Sequence, residues 1–249
     1  MDPKVFDFLI EAEERHFWFR QRNRLIIGLL ARLFPQARDY LEIGCGNGAV
    51  LSAISRARPW RRLVGSELHS SALRNARKRL PKGAELVQMD ARKIPARHAF
   101  DFVGAFDVLE HIEEDEAVLG AIAGAVKPGG CVMLAVPQHP SLWSGADDAA
   151  YHVRRYRRGE LEAKVERAGL EVLHSTSYVA LLLPLMMLSR VADRSRRGDA
   201  SSILRREFEI SAAMNAILGL ITKAEVTATL QGLRWPAGGS RIVVAKAPA

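Results

Sequence analysis

Leu41 to Val50 read LEIGCGNGAV, and the reading of this stretch decides the fold. Gly44, Gly46 and Gly48 alternate directly after a short apolar run, YLEI, and before AVLSAISRA, whose apolar residues have helical spacing. A strand that breaks into a glycine turn and then a helix brings backbone N–H groups and a helix N-terminus to one point beside a ligand. A dinucleotide loop, G-x-G-x-x-G, would place its third glycine one residue beyond Gly48. No Gly-Lys-Ser/Thr follows, which excludes a P-loop.

The rhythm continues outward. RLVGSE (62–67), AELVQMD (84–90), AFDFVGAFDVL (99–109) and CVMLAVP (131–137) read as strands. SSALRNARKRL (70–80) and EEDEAVLGAIAGAV (113–126) read as helices, the second stopped by KPGG. The alternation predicts an α/β fold: a Rossmann-like, mostly parallel sheet with helices on both faces. Residues 4–34 predict an N-terminal helix. After Pro140 come a basic stretch, YHVRRYRRGELEAKVERAG (151–169), a strand, LEVLHSTSYV (170–179), and a Leu-, Met- and Arg-rich helical insertion over 179–230. SRIVVAKA (240–247) closes the chain as a strand. We read one domain over 1–249: a helical cap to residue 35, a binding core over 36–140, an acceptor-site and lid region over 141–240, and a last strand over 241–249.

The 249 residues carry a formal net charge of +8 and are 48% apolar, enough for a sizeable core. The positive balance suits phosphates, acidic membrane surfaces or nucleic acid, and suits a basic enzyme equally well. Cys45 and Cys131 have no metal-ligand spacing and read as reduced, buried thiols of a reducing compartment, which predicts a cytoplasmic protein. The opening residues carry early acids and no signal-peptide pattern. The longest apolar run, 178–188, contains Pro184 and is too short to span a bilayer.

Acids stand where the chemistry of a nucleoside needs them. Glu67 ends the second strand about twenty residues after the glycine turn, where a carboxylate can accept both ribose hydroxyls. Asp90 ends the third strand, where an acid can take an adenine amino group.

With LEIGCGNG, VGSEL, QMDARKIP, FDFVGAFDVLEHI and VKPGG in order, residues 39–136 resemble a class I S-adenosylmethionine (SAM)-dependent methyltransferase of the small-molecule type. The resemblance implies seven strands with the last antiparallel, and SAM as cofactor. It implies that Gly44, Cys45 and Gly46 line the methionine part of SAM and that Glu42 sits close to its amino group. Glu67 would bind the ribose, with Leu68 beside it also binding the cofactor, Asp90 and Ala91 would flank the adenine, and Phe106 and Asp107 would face the sulfonium. HFWFRQRNR (16–24) resembles the helix that lies over the cofactor in relatives. Trp18 and Phe19 would close the pocket there, and Arg20 or Arg22 would pair with the SAM carboxylate.

Methyl transfer from a sulfonium asks mainly for alignment, with a base where the acceptor must lose a proton. Asp107, Glu110 and His111, in DVLEHI, share one face if they open a helix. His111 is then a candidate base. A divalent ion held by all three is the sharper reading, and a helix-terminal acid cluster without metal the favoured one. His152 and Tyr156 are further catalytic candidates, and Arg154 or Arg155 could hold an anionic group. The Leu/Met surface at 178–199 points to a small hydrophobic or lipid-like acceptor, anionic at one end, and to peripheral membrane contact. Alternatives are a SAM-binding relative with a non-methylating reaction, or a methyltransferase of nucleic acid or protein. Nucleic acid is not expected, because DVLE stands where an N/D-P-P-Y signature would follow the fourth strand.

Overall fold

Strand β1 (Asp39–Ile43) is the point from which the sheet of this computed structural model grows both ways. The structure describes residues 10–193, 203 and 208–249. To one side lie β2 (Arg62–Glu67) and β3 (Glu85–Gln88). To the other lie β4 (Phe100–Phe106), β5 (Val126–Pro137), β7 (Ser240–Lys246) and, at the far edge, β6 (Glu171–Tyr178). The order is β3-β2-β1-β4-β5-β7-β6. All pairings are parallel except those of β7, which lies antiparallel between β5 and β6. Parallel neighbours need crossovers, supplied here by α2 (Ala49–Ala57), α3 (Ser70–Arg79) and α4 (Asp115–Ala125).

The central strands are buried on both faces, and their side chains alternate between two cores. Tyr40, Phe102, Met133 and Val244 face one core, packed under α1 (Phe17–Leu33), α2 and α8 (Ala212–Leu230). Leu41, Val103, Val132 and Val243 face the other, under α4 and α6 (Glu160–Arg167). The register keeps each row in line: Leu41 opposes Val64 and Val103. Tyr40 and Phe102 stack with ring centroids 4.7 Å apart.

Several boundaries differ from the sequence reading; β3 stops at Gln88, so Asp90 lies two residues past the strand. The helix expected over 4–34 is α1 from Phe17, capped by the His16 side chain, with a separate helical stretch at 10–15 before it. KPGG does not separate helix from strand: β5 begins at Val126 and absorbs the glycines at a register shift between Phe100 and Phe102. The fourth strand stops at Phe106, because Asp107 takes a positive φ of 56° that ends the ladder.

Between β6 and β7 the chain forms α7 (Leu183–Asp193) and α8. Helix α8 packs on α1 closely enough that a Cβ on Gly28 would meet Leu230 Cδ2 at 2.5 Å. The expected insertion is therefore helical where described. The arginines at 190, 194, 196 and 197 are expected on the outer rim of this insertion; Arg190 is instead buried, and the other three lie outside the described residues. Among the described residues no helix is long and apolar enough to cross a membrane.

Candidate active site

The strand ends carry the cradle. Gly44 and Gly46 have φ of +63° and +50°, conformations that a side chain strains. At Gly44 a Cβ would also strike Val108 Cγ2 at 2.5 Å, whereas at Gly46 it would meet nothing within 4 Å. The turn thus has one face packed on the protein and one open. Cys45 is buried, and its N–H donates to the Ser66 carbonyl at 2.9 Å. Glu67 is locked to the same turn: it accepts from the Gly46 N–H at 3.1 Å and the His69 N–H at 3.0 Å. A carboxylate so held keeps lone pairs for further donors. Leu68 beside it is 54% exposed. Asp90 accepts from the Arg92 backbone N–H at 2.9 Å and its Nη2 at 2.8 Å, and these bonds hold its carboxyl at about 2. Ala91 is half-buried next to it, and Phe106 is buried at the end of β4.

Glu42 is buried under the turn and accepts from the Tyr40 hydroxyl at 2.6 Å. Burial pushes its carboxyl up to about 8, so at neutral pH it is largely in the acid form.

Beyond Asp107 opens a cavity of about 550 Å³. Its apolar walls are Phe17, Trp18 and Phe19 of α1, Leu182, Leu185 and Met186 at α7, and Phe208, Ile210 and Leu218. Asp107, Glu110, His111, Asp147, His152 and Arg155 make its polar end, and His16, Arg22, Ser189, Arg190 and Ser240 add polar groups elsewhere in the lining. Arg22 and Asp107 form an ion pair across the junction of cradle and cavity. The Arg22 guanidinium sits 4.6 Å from the Trp18 ring centroid, and its Nε is buried without a hydrogen-bond partner. Arg20, two residues away, is exposed and takes no part.

Asp107, Glu110 and His111 do not open a helix. Leu109–His111 is a single 3₁₀ turn and α4 begins at Asp115, so the expected common face is not formed. Asp107 turns to Arg22. Glu110 turns inward, fully buried, with neither carboxyl oxygen hydrogen-bonded. Burial, reinforced by the nearby Asp107 charge, pushes its carboxyl well up. His111 turns to His152, with ring centroids 4.8 Å apart in a T-shaped pair. Glu110, His111 and His152 bring ligand-type atoms within 4.8 Å of one another. The Arg22 and Arg155 charges that act on Glu110 weigh against a divalent cation there.

His152 Nδ1 lies 2.9 Å from Asp147 Oδ1. Asp147 is buried in α5 (Gly145–Ala149), where it completes a capping box with Ser144. It also accepts from Arg155 Nε at 2.7 Å. Burial pushes the Asp147 carboxyl up, but the His152 hydrogen bond and the Arg155 charge outweigh it and hold it at about 2. Sequence reasoning missed Asp147, although the S-x-x-D cap signal was in view.

Tyr156 does not reach the cavity. It is fully buried, bridges to Gln138, and donates its hydroxyl to Asp115 at 2.7 Å. Arg154 likewise pairs with Asp115, at 2.6 Å, which removes it from acceptor recognition. Of the basic stretch, His152 and Arg155 alone line the cavity among the described residues.

Residues 18–175 match the family model of a methyltransferase domain. The chain belongs to this methyltransferase family. It is 28% identical over 162 residues to a "probable S-adenosylmethionine-dependent methyltransferase" of Mycolicibacterium smegmatis, covering 64% of this chain and 61% of that protein. It is 30% identical over 157 residues to the ubiquinone biosynthesis O-methyltransferase of Bordetella avium, covering 55% and 63%. The chain thus aligns with less than two thirds of either relative's length. Among solved structures, N-methyltransferase NodS from Bradyrhizobium japonicum, in complex with S-adenosyl-L-homocysteine, superposes with a TM-score of 0.57 at 13% identity, covering 93% of this chain and 88% of that one. That likeness, together with the seven-stranded order, is one of fold: the class I methyltransferase fold expected from the sequence.

Proposed function

We propose that the protein transfers a methyl group from SAM to a small acceptor with a hydrophobic, lipid-like body and a polar head. The observation that carries this reading is the cavity of about 550 Å³, walled mainly by apolar side chains of α1 and α7, with Arg22 and Arg190 among them, and polar where it meets Asp107. SAM supplies the reaction with a methyl group already activated on a sulfonium.

The residues fit SAM. The open face of the Gly44–Gly46 turn offers backbone to the methionine part, with Cys45 behind it. Glu67, pre-oriented by two N–H groups, suits a ribose diol, and exposed Leu68 with Asp90 and Ala91 suits the adenine. Glu42 suits the amino group. The unpartnered Nε of Arg22 suits the carboxylate, with Trp18 covering it. Asp107 lines the cavity at the end of the cradle, whereas Phe106, expected beside it, packs its ring into the core against Gly104. These groups hold both reactants in line, which can account for much of the barrier lowering. We further propose a cytoplasmic enzyme that meets membrane surfaces through α7 and α8.

The test is incubation with methyl-labelled SAM and a total lipid extract. Label is expected in an organic-phase product with the wild type, and is expected to vanish in Leu182→Trp and Met186→Trp, which fill the cavity, while calorimetry shows SAM binding retained. Label confined to aqueous small molecules or macromolecules, or full activity in both variants, refutes the lipid-like acceptor.

A further inference from the structure

Two imidazoles line the polar end of the cavity, and they are not equivalent. Asp147, held ionised by Arg155, can only accept a hydrogen bond, so the proton of His152 sits on Nδ1. Its Nε2 is then the nitrogen with a free lone pair, on a side chain that lines the cavity. His111 Nδ1 faces the Tyr151 carbonyl at 3.4 Å, a weak and neutral partner. His152 has a buried carboxylate, Asp147, hydrogen-bonded behind its ring. His111 has no carboxylate hydrogen-bonded to its ring, and burial, then the adjacent His152, hold that imidazole down at about 4 against the weaker pull of backbone carbonyls and Asp107.

We infer that His152, oriented by Asp147, is the general base of this site, and that the acceptor atom is therefore a hydroxyl oxygen, phenolic or enolic, that must lose its proton. This rests on the proposed methyl transfer and narrows it. An amine free base or a thiolate already carries its nucleophilic pair and has less need of such a dyad.

The step balances. The hydroxyl proton passes to His152 Nε2 as the oxygen pair forms the O–CH₃ bond. The carbon–sulfur bond breaks with its electron pair going to sulfur, leaving a neutral thioether, and the imidazolium afterwards gives its proton to water. Asp147 is a positioning residue: it touches neither reactant and acts through the tautomer and orientation of His152. The other charged or titratable groups that line the same cavity among the described residues are His16, Arg22, Asp107, Glu110, His111, Arg155 and Arg190.

The experiment has two arms. Nitrogen-15 imidazole spectra of the protein with S-adenosyl-L-homocysteine are expected to show His152 as the Nδ1–H tautomer, and Asp147→Ala to lose that signature. An Nε2–H tautomer in the wild type overturns the inference. The kinetic arm uses para-octylphenol and its ortho,ortho-difluoro analogue, which ionises more readily, with octylamine and octanethiol as controls. His152→Gln is expected to slow methylation of the plain phenol by about a hundredfold to ten-thousandfold, the usual contribution of a general base. The loss should shrink on the fluorinated phenol, with SAM affinity unchanged. His111→Gln is expected to cost less. An equal loss on both phenols, a larger loss in His111→Gln, activity abolished by a chelator, or turnover of amine or thiol but neither phenol overturns the assignment. Each of these leaves the lipid-like cavity reading intact, since that depends on the cavity-filling variants.

Discussion

Replacing Glu42 by Gln tests the buried end of β1 directly. Glu42 has 2% of its surface exposed, and burial raises its carboxyl from 4.5 to about 8. The sign follows from linkage. The folded state holds the proton to higher pH than the unfolded chain. The contribution to stability is therefore fully present below pH 4.5 and is lost as pH rises through about 8. At about 1.4 kcal/mol per pH unit, the loss approaches 5 kcal/mol by pH 9, an upper bound because buried sites relax. Gln at this position keeps the shape and can still accept from the Tyr40 hydroxyl, but does not titrate. Urea midpoints taken from pH 5 to 9 should fall in the wild type relative to Glu42→Gln, with the gap opening above pH 5. If SAM places its ammonium beside Glu42, that charge favours the carboxylate, and binding near pH 7 should release a proton. Calorimetry in buffers of different ionisation enthalpy reads that release, which Glu42→Gln should abolish. Parallel stability profiles for the two proteins refute the buried-acid reasoning. Parallel profiles in proton release alone refute the placement of the ammonium.

The strand–turn–helix logic was legible because it is local. The positive φ of Gly44 and Gly46 is a property of the turn itself, and alternation along β1, β4, β5 and β7 sorts the two cores by parity. What sequence spacing could not show was set by distant contacts. Arg20 and Arg22 are two residues apart on α1 and so fall on nearly opposite sides; which one is buried depends on where α1 docks. Asp107, Glu110 and His111 have helical spacing, but the positive φ of Asp107 ends the strand without starting a helix, so the i, i+3, i+4 rule had nothing to act on. Tyr156 was drawn inward by its bridge to Gln138 and the buried Asp115. Asp147 was missed because its S-x-x-D spacing from Ser144 tells only of a cap; its second partner, His152, meets it because the chain folds back after the short α5.

Glu67→Ala should lower SAM affinity at least about tenfold by calorimetry, since a hydrogen bond to a charged group is worth about 1.5–3 kcal/mol and the same change frees the Gly46 N–H. Unchanged affinity refutes the ribose assignment. The final expectation concerns the membrane. Leu181, in the turn before α7, and Leu185 and Leu188 on α7 are 46%, 52% and 69% exposed, and Met214, Ile217 and Leu220 are 46%, 54% and 67% exposed along α8. Leu185 also lines the cavity, so the exposed strip runs into the acceptor site. A net charge of +8 makes an anionic lipid surface the fitting occupant. Fully burying a leucine is worth about 1.5–3 kcal/mol, so half-exposed ones contribute about 1 kcal/mol each. Leu185→Asp with Leu188→Asp should therefore cut flotation on phosphatidylglycerol vesicles more than tenfold. Added salt should weaken wild-type binding without abolishing it, because the apolar part is not screened. Flotation that salt removes completely, and that the aspartates leave unchanged, would mean that charge alone brings the protein to the surface, and the route from bilayer to cavity through α7 would fall.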